Sequence, residues 1–228
     1  MVRTARRGPV ALSPSDLTEL DTLYSDVETY YSNKIVRHGA IPLGVDWSCE
    51  ATQRLRFVQL LKLCDFAHTV SVNDVGCGYG ALAVFMAERY PSAEIDYWGF
   101  DLSRAMIERA RRRHRGKPNV RFSVAQSAPR IADFAVASGV MNVKLEQALP
   151  LWERFVQVTL LDMHRTSRIG FAVNFLAAPT PGAPEGQLYC PAPERWAGFC
   201  REALGCSVTI MRDYGLREYT LLARHLAA

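Results

Sequence analysis

The sequence lacks the features that mark a membrane protein, a secreted disulfide-rich protein or a zinc-binding module. Its six cysteines are scattered, no two have C-x-x-C spacing, and no histidine cluster accompanies them along the chain. This pattern predicts neither a disulfide framework nor a structural zinc site, and we expect no metal in the functional site. No apolar run approaches the ~18 residues that a membrane span requires. The basic N-terminus has no apolar segment behind it, so it is not predicted to be a secretory signal, and we expect a cytoplasmic protein without a membrane partner.

The excess of positive charge is small. The 228 residues include 27 Lys and Arg against 23 Asp and Glu, which gives a net charge of +4. Much of the excess lies in Arg3, Arg6 and Arg7 and in the run 109–115. That run has no interleaved aromatic residues that could stack on bases, and cations offset the dipole at the end of a helix. We therefore interpret it as the solvated end of a helix and expect no nucleic-acid partner.

The most informative segment is 71–80, which reads SVNDVGCGYG. It predicts a buried strand that ends in Asp74, followed by a turn with three alternating glycines. A second predicted strand ends in Asp101, 21 positions after Gly80. A strand, a glycine-rich turn, a helix and a second strand tipped by an acid together form a nucleotide-binding half-unit.

The charge of Asp74 discriminates between two classes of nucleotide cofactor. Gly76, Gly78 and Ala81 fit the G-x-G-x-x-G/A spacing of dinucleotide-binding proteins, so spacing alone leaves a nicotinamide cofactor open. A carboxylate at the strand tip opposes a pyrophosphate, whereas it attracts the ammonium group of S-adenosylmethionine. Asp101 suits either class, because both contain a ribose whose hydroxyls a carboxylate can accept. The residues therefore favour S-adenosylmethionine.

Residues 74–80, DVGCGYG, resemble motif I (D/E-x-G-x-G-x-G) of the class I S-adenosylmethionine-dependent methyltransferases. Asp101, in GFDLS, resembles the acid that ends their second strand, and the resemblance extends over roughly residues 50–226. YYS before His38 and GVDW at 44–47 are also similar to a subgroup of small bacterial methyltransferases whose substrate is unknown. The resemblance implies S-adenosylmethionine as cofactor, S-adenosylhomocysteine as product and methyl transfer by SN2 displacement.

The order of predicted elements indicates the fold class. Helices are predicted over 15–37, 48–64, 81–90, 103–114, 149–165 and 193–204, and strands over 69–75, 95–100, 120–124, 133–138, 169–176, 207–212 and 219–224. The last two strands lie too close in sequence for a crossover helix, so we expect them to pair antiparallel. We expect an α/β, Rossmann-like three-layer sandwich with a seven-stranded, mostly parallel sheet and an antiparallel C-terminal strand. Residues 1–65 would form an N-terminal helical cap on a methyltransferase core of residues 66–228, and residues 177–192 a long loop.

Ligands of open α/β sheets bind beyond the carboxyl ends of the strands, and the resemblance assigns the cofactor to this edge. The expected cofactor-binding residues are Asp74, Gly76, Cys77, Gly78, Tyr79, Gly80, Asp101, Leu102, Met106, Gln126, Ser127, Ser138 and Gly139. Gln126 stands where many relatives have an acid, and Met106 suits either the adenine face or the helix core. After the fourth strand, the chain lacks both the Pro-Pro pair of amine methyltransferases and the Pro-Cys nucleophile of cytosine-C5 enzymes, which argues against a nucleic-acid acceptor.

Acceptor contacts are expected mainly from the N-terminal segment. His38 and Asp46 are candidate catalytic residues, because His and Asp can deprotonate a hydroxyl or orient an amine. The candidate substrate-binding residues are Tyr30, Tyr31, Lys34, Trp47, Asn142 and Tyr189. Structural roles stay open for His38 as a helix cap, for Trp47 at the core edge and for Asn142 within its loop. The remaining histidines are expected at the surface: His68, His114, His164 and His225.

We therefore expect a methyltransferase that acts on an oxygen or nitrogen of a small-molecule acceptor, such as a natural product, as a monomer or homodimer. Because methyl transfer depends mainly on positioning and desolvation, a dedicated base is optional. Three alternatives stay open at this point. They are an RNA or protein methyltransferase of the same fold, a nicotinamide-dependent oxidoreductase and a non-catalytic nucleotide-binding module.

Overall fold

The computed structural model describes residues 13–178 and 186–226. Its strands are β1 (Val70–Val75), β2 (Ile95–Asp101), β3 (Val120–Val124), β4 (Ala132–Ala137), β5 (Ser167–Leu176), β6 (Cys206–Met211) and β7 (Glu218–His225). They form one sheet in the order β3-β2-β1-β4-β5-β7-β6. β1 to β5 pair in parallel, while β7 lies antiparallel between β5 and β6. This arrangement confirms the predicted fold class, including the antiparallel C-terminal pair.

Six α-helices accompany the sheet within the described residues. They are α1 (Pro14–His38), α2 (Glu50–Leu61), α3 (Ala81–Arg89), α4 (Arg104–Arg113), α5 (Leu149–Arg165) and α6 (Pro193–Glu202). α1 begins with a capping box, in which Ser13 Oγ accepts from the amide of Asp16 and the Asp16 carboxylate accepts from the amide of Ser13. No helix of the described segments combines the length and apolarity needed to cross a bilayer.

The helices cover both faces of the sheet. Along β4, Phe134 and Val136 pack with α2, α3 and α4, whereas Ala135 and Ala137 pack with α5 and α6. This alternation follows from the two-residue period of a strand, and burial on both faces explains why the central strands are rich in apolar residues. The result is the three-layer sandwich expected from the sequence.

α1 crosses the carboxyl edge of the sheet and joins the two helical layers. Its first half buries Leu20 and Leu23 in the core of α5 and α6, while Ile35 near its end packs with Tyr79 and Met106. The helix therefore lies over the strand ends where an α/β sheet binds its ligands.

Several local expectations differ from the structure. A short 3-10 helix spans Pro42–Val45, between the first two predicted helices, where the sequence analysis places no element. α2 ends at Leu61 rather than at residue 64. His114 is buried rather than exposed, because its Nε2 lies 3.0 Å from the carbonyl oxygen of Gly80 under the glycine loop. His164 and His225 are half-buried, and only His68 is fully exposed. The basic tail at 3–7 and residues 179–185 of the predicted long loop lie outside the described residues.

Candidate functional site

The glycine turn after β1 is shaped by left-handed backbone at three positions, with φ of 63° at Gly76, 55° at Gly78 and 79° at Gly80. A Cβ at Gly76 would lie 2.5 Å from the side chain of Val140, so a side chain there would collide with the loop after β4. Because glycine has no side chain, a ligand can approach the backbone of this turn closely, as a nucleotide-binding turn requires.

Asp101, at the tip of β2, ties this turn to the start of α4. Its Oδ2 accepts from the amide of Gly78 at 2.9 Å, and its Oδ1 accepts from the amide of Ser103 at 2.9 Å. Burial raises the pKa of Asp101 above its usual value, and these two backbone hydrogen bonds oppose the rise. A carboxylate offers about four acceptor positions, so two remain for a ligand.

A cleft opens between this edge and α1. It is lined by Tyr24, Val27, Glu28, Tyr31, Val45, Trp47, Val75, Gly76, Gly78, Phe100, Asp101, Leu102, Met106, Ala125, Gln126, Ser138, Gly139, Val140, Phe155 and Thr159. Ten of the residues expected from the sequence are among them: Gly76, Gly78, Asp101, Leu102, Met106, Gln126, Ser138, Gly139, Tyr31 and Trp47. Met106 lines the cleft and is also buried in the helix core, so its contact with an adenine stays a prediction.

One face of α1 closes the cleft. Tyr24, Val27, Glu28 and Tyr31 have the i, i+3, i+4, i+7 spacing of a single helical stripe. Glu28 Oε1 accepts from Ser32 Oγ at 2.7 Å, and Ser32 Oγ also lies 2.7 Å from Ser103 Oγ at the start of α4. The sequence analysis missed Glu28; a lone carboxylate on an otherwise apolar and aromatic stripe is the signal that would have identified it.

Asp74 lies beside the cleft, in a small adjoining cavity. It is buried, and it accepts a hydrogen bond from the hydroxyl of Tyr97. Burial raises its pKa to about 7, although the Tyr97 hydrogen bond opposes this and nearby Asp101 adds to it. Cys77 and Tyr79 line the same small cavity. A cation bound beside this buried carboxyl group would stabilise its charged form.

Trp47 connects the cleft to a buried polar network. A Cβ on Gly139, where φ is 79°, would lie 2.2 Å from Trp47 Cζ2, so the indole packs directly on the loop after β4. On the other side, the Arg56 guanidinium lies 3.7 Å from the indole centroid. Arg56 Nε donates to both carboxylate oxygens of Glu218 at 2.8 and 2.9 Å.

The same network fixes the backbone of the cleft from β5. Asn174 Nδ2 donates to Glu218 at 2.8 Å, and Asn174 Oδ1 accepts from the amide of Gly139 at 2.8 Å. The sequence analysis did not single out Arg56, Asn174 or Glu218. Asn174 is a polar residue within a predicted apolar strand, whereas Arg56 lies in a mixed helix and Glu218 lies just before the strand predicted from residue 219.

The other expected residues lie outside the lining of both cavities. Lys34 Nζ pairs with Asp46 Oδ1 at 2.5 Å, and Asp46 has a left-handed φ of 61°. Asp46 also helps to raise the pKa of Tyr30, after the larger effect of burial. His38 is the last residue of α1. The structure thus brings Tyr30, Lys34 and Asp46 together behind the cleft wall.

Asn142 and Tyr189 hold the loops near the cleft. Asn142 Oδ1 accepts from the amide of Leu176 at 3.2 Å, and its carbonyl accepts from the amide of Tyr189 at 2.9 Å. Tyr189 is buried against α5 and α6, where its hydroxyl donates to Glu153 and accepts from Trp196 Nε1. Ser127 is exposed, and Gly80 is the N-cap of α3.

The residues of the cleft fit S-adenosylmethionine. Asp101 keeps two acceptor positions for ribose hydroxyls, and Asp74 is a buried carboxyl group that a cation would stabilise in its charged form. Ser138 lines both cavities, and its buried Oγ has no hydrogen-bond partner among residues 13–178 and 186–226. A buried hydroxyl without a partner can form a hydrogen bond with a polar group of a ligand.

Sequence comparison supports the same conclusion. A family model described as a methyltransferase domain matches residues 72–158. The Mycobacterium tuberculosis protein named "Putative methyltransferase Rv1506c" is 34% identical over 165 residues, which cover 72% of this chain and 98% of that protein. The trans-aconitate 2-methyltransferase of Acidovorax sp. (strain JS42) is 32% identical over 93 residues, which cover 38% of this chain and 35% of that protein.

Solved structures share the fold at low sequence identity. Phosphoethanolamine N-methyltransferase 1 of Haemonchus contortus has a TM-score of 0.64 at 13% identity, covering 91% of this chain and 50% of that one. Magnesium protoporphyrin IX methyltransferase of Synechocystis PCC 6803 has a TM-score of 0.52 at 12% identity, covering 95% and 86%. The relative in M. tuberculosis, the motif at 74–80 and the strand order agree: the chain belongs to the class I S-adenosylmethionine-dependent methyltransferases.

Proposed function

We propose that this methyltransferase acts on an oxygen or nitrogen of a small, largely apolar acceptor that is neutral or cationic. The observation that carries the proposal is the lining of the cleft under α1. Beyond the residues assigned to the cofactor, the wall consists mainly of Tyr24, Val27, Val140 and Phe155. Aromatic and aliphatic side chains of this kind enclose small organic ligands.

The charge of the lining supports a neutral or cationic acceptor. Its two ionisable acids are Glu28 and Asp101, and no Lys, Arg or His is found among the lining residues that the structure describes. An anionic acceptor would therefore be desolvated beside two carboxyl groups, with no cationic side chain in the described part of the lining to pair with it. Phosphate-bearing nucleic acids are disfavoured for the same reason.

The basic run at the end of α4 does not support a nucleic-acid acceptor. Arg111 donates to the carbonyl of Phe122 from both Nε and Nη2, at 3.1 and 2.8 Å, and the Arg113 guanidinium lies 5.5 Å from the ring centroid of Tyr79. Part of the run therefore stabilises the packing of α4, which supports its interpretation as a helix end.

The chain's residues have distinct roles in this proposal. When bound, S-adenosylmethionine supplies an electrophilic methyl group. Asp101, Gly76, Gly78 and Ser138 would hold it, with Asp74 beside its ammonium group. Residues 13–65, as a cap, would exclude water from the cleft. Glu28 is the lining carboxylate best placed to take a proton from the acceptor, since His38 and Asp46 lie outside the lining.

The test is methyl transfer from isotope-labelled S-adenosylmethionine to three pools of acceptors. The first pool contains neutral phenols and aromatic or aliphatic amines, the second di- and tricarboxylic acids, and the third total RNA and denatured protein. We expect labelled product in the first pool only. Label in the second pool, or in RNA or protein, would contradict the proposed acceptor class.

A further inference from the structure

Three side chains that can bind a metal ion meet at the edge of the sheet opposite the cleft. They are His164 near the end of α5, Cys206 as the first residue of β6 and His225 as the last residue of β7. One ligand atom from each lies within 4.8 Å of the other two. Cys206 and His225 are directly opposed in the antiparallel ladder, so the backbone itself holds this pair together.

The cluster is remote from the cofactor cleft. β7 runs antiparallel to β5, and Arg224 pairs with Gly170 near the start of β5. The end of β7 therefore lies at the amino edge of the parallel strands, whereas the cleft lies at their carboxyl edge. Any metal bound here would act on the fold rather than on the reacting groups.

The distance between two of these ligand atoms matches the distance expected between two ligands of one zinc ion. Cys206 Sγ lies 3.6 Å from His164 Nδ1. With Zn–S of about 2.3 Å, Zn–N of about 2.05 Å and a tetrahedral angle, the expected S···N separation is also about 3.6 Å. A weak S–H···N hydrogen bond would explain this distance as well. It would not explain His225, whose buried Nε2 has no hydrogen-bond partner among the described residues.

We propose that His164, Cys206 and His225 form a zinc(II) site, with water as the fourth ligand, that fastens α5 to the β6–β7 hairpin. Thiolate and imidazole are ligands that suit zinc. Coordination requires the deprotonated thiol, so the Cys206 proton passes to solvent when the Zn–S bond forms.

This site could not be predicted from the sequence, since its ligands have no zinc-binding spacing and come from three separate elements. The structural consequence of binding is specific. β6 is the edge strand of the sheet, and a metal bound only by the folded state stabilises that state by mass action. We therefore expect zinc to raise the melting temperature of the protein from a site that does not contact the cleft.

The test uses the full-length protein, reduced and freed of metal by a chelator, then titrated calorimetrically with zinc(II) and, separately, with magnesium(II). We expect one equivalent of zinc and no magnesium to bind. Cys206→Ser and His225→Gln should each weaken zinc binding at least about tenfold. The matched controls Cys190→Ser and His68→Gln, which alter a half-buried thiol and an exposed imidazole outside the cluster, should bind zinc as the unaltered chain does.

A second measurement needs no variant. Cobalt(II) added to the unaltered protein should give a sulfur-to-cobalt charge-transfer band and tetrahedral d–d bands. Zinc should then displace the cobalt and remove both. Absence of the charge-transfer band, or zinc binding that Cys206→Ser leaves unchanged, would overturn the proposal.

Discussion

The carboxylate of Asp101 and the backbone amide of Gly78 are joined by a hydrogen bond of 2.9 Å. This bond links the tips of two neighbouring strands, because Gly78 follows β1 and Asp101 ends β2. It presents the glycine turn and the carboxylate to the cleft as one rigid unit. The same carboxylate also accepts from Ser103, so three segments around the expected ribose site depend on one side chain.

Replacing Asp101 by Asn should therefore weaken S-adenosylhomocysteine binding by about 10- to 100-fold, because hydrogen bonds to a charged group are worth about 1.5–3 kcal/mol. Isothermal titration calorimetry measures the change. Asp133→Asn is the matched control: Asp133 also accepts from a backbone amide, that of Ser71, but lies in β4 at the opposite edge of the sheet. Equal affinity of the Asp101 variant and the unaltered chain would refute the assignment.

Gly139→Ala should abolish cofactor binding while leaving the fold intact. The new Cβ would lie 2.2 Å from Trp47 Cζ2, so the indole must leave its place in the cleft wall. Gly215→Ala is the control, since Gly215 has a similar φ of 84° but open space around it. Both variants should lose about 1–2 kcal/mol of stability from the left-handed backbone, and only Gly139→Ala should lose affinity for S-adenosylhomocysteine. Equal affinity of the two variants would show that Trp47 does not shape the site.

Cofactor binding should depend on pH through Asp74. Its pKa in the free protein is raised to about 7, and a neighbouring ammonium group would lower it, so binding should release a proton near neutral pH. Affinity for S-adenosylhomocysteine should therefore reach a plateau above about pH 7 and fall by up to about tenfold for each pH unit below it. Calorimetric titrations across this range, in buffers of different ionisation enthalpy, measure both effects. Asp74→Asn should remove the dependence, and an unaltered pH profile in that variant would exclude Asp74 as its source.

Glu28→Gln should reduce the rate of methyl transfer without weakening cofactor binding. If Glu28 takes the acceptor's proton, kcat for the acceptor found in the pool experiment should fall by about 10²- to 10⁴-fold. Glu19→Gln, on the exposed face of the same helix, is the control and should leave kcat unchanged. A parallel loss of S-adenosylhomocysteine affinity in Glu28→Gln would instead assign Glu28 to the cofactor.

Arg56→Met should destabilise the protein by about 3–5 kcal/mol, because it leaves the carboxylate of Glu218 buried without its cation. Arg54→Met is a neighbouring control in the same helix, where exposed pairs with Glu50 and Glu88 predict a loss of about 0–1 kcal/mol. Urea unfolding followed by circular dichroism compares the two. Similar losses in both variants would mean that the buried pair contributes no more than a surface pair.

Much of the fold could be predicted because its determinants are local. The glycine turn requires positive φ at residues 76, 78 and 80, and this requirement is readable from three letters. The bounds of β3 and α5 agree with prediction, since apolar patterning and Pro150 at the helix start define them. The antiparallel end of the sheet followed from the short link between its last two strands. α2 ends three residues before its predicted end, because Leu61 to Cys64 form turns. No proline or glycine in the sequence marks this helix end.

The class of the protein can be recognised from a short part of the chain. A strand, a glycine turn and two strand-tip acids lie close together in sequence, and their chemistry favours a cationic nucleoside cofactor. Which residues far apart in sequence come into contact depends on the tertiary structure. The path of α1 over the sheet edge places Glu28 in the cleft and leaves His38 and Asp46 outside its lining. The pairing of β6 with β7 brings Cys206 beside His225, and packing of α5 adds His164. These contacts depend on how whole elements pack, which is set by summed burial over the core and not by any short segment of sequence.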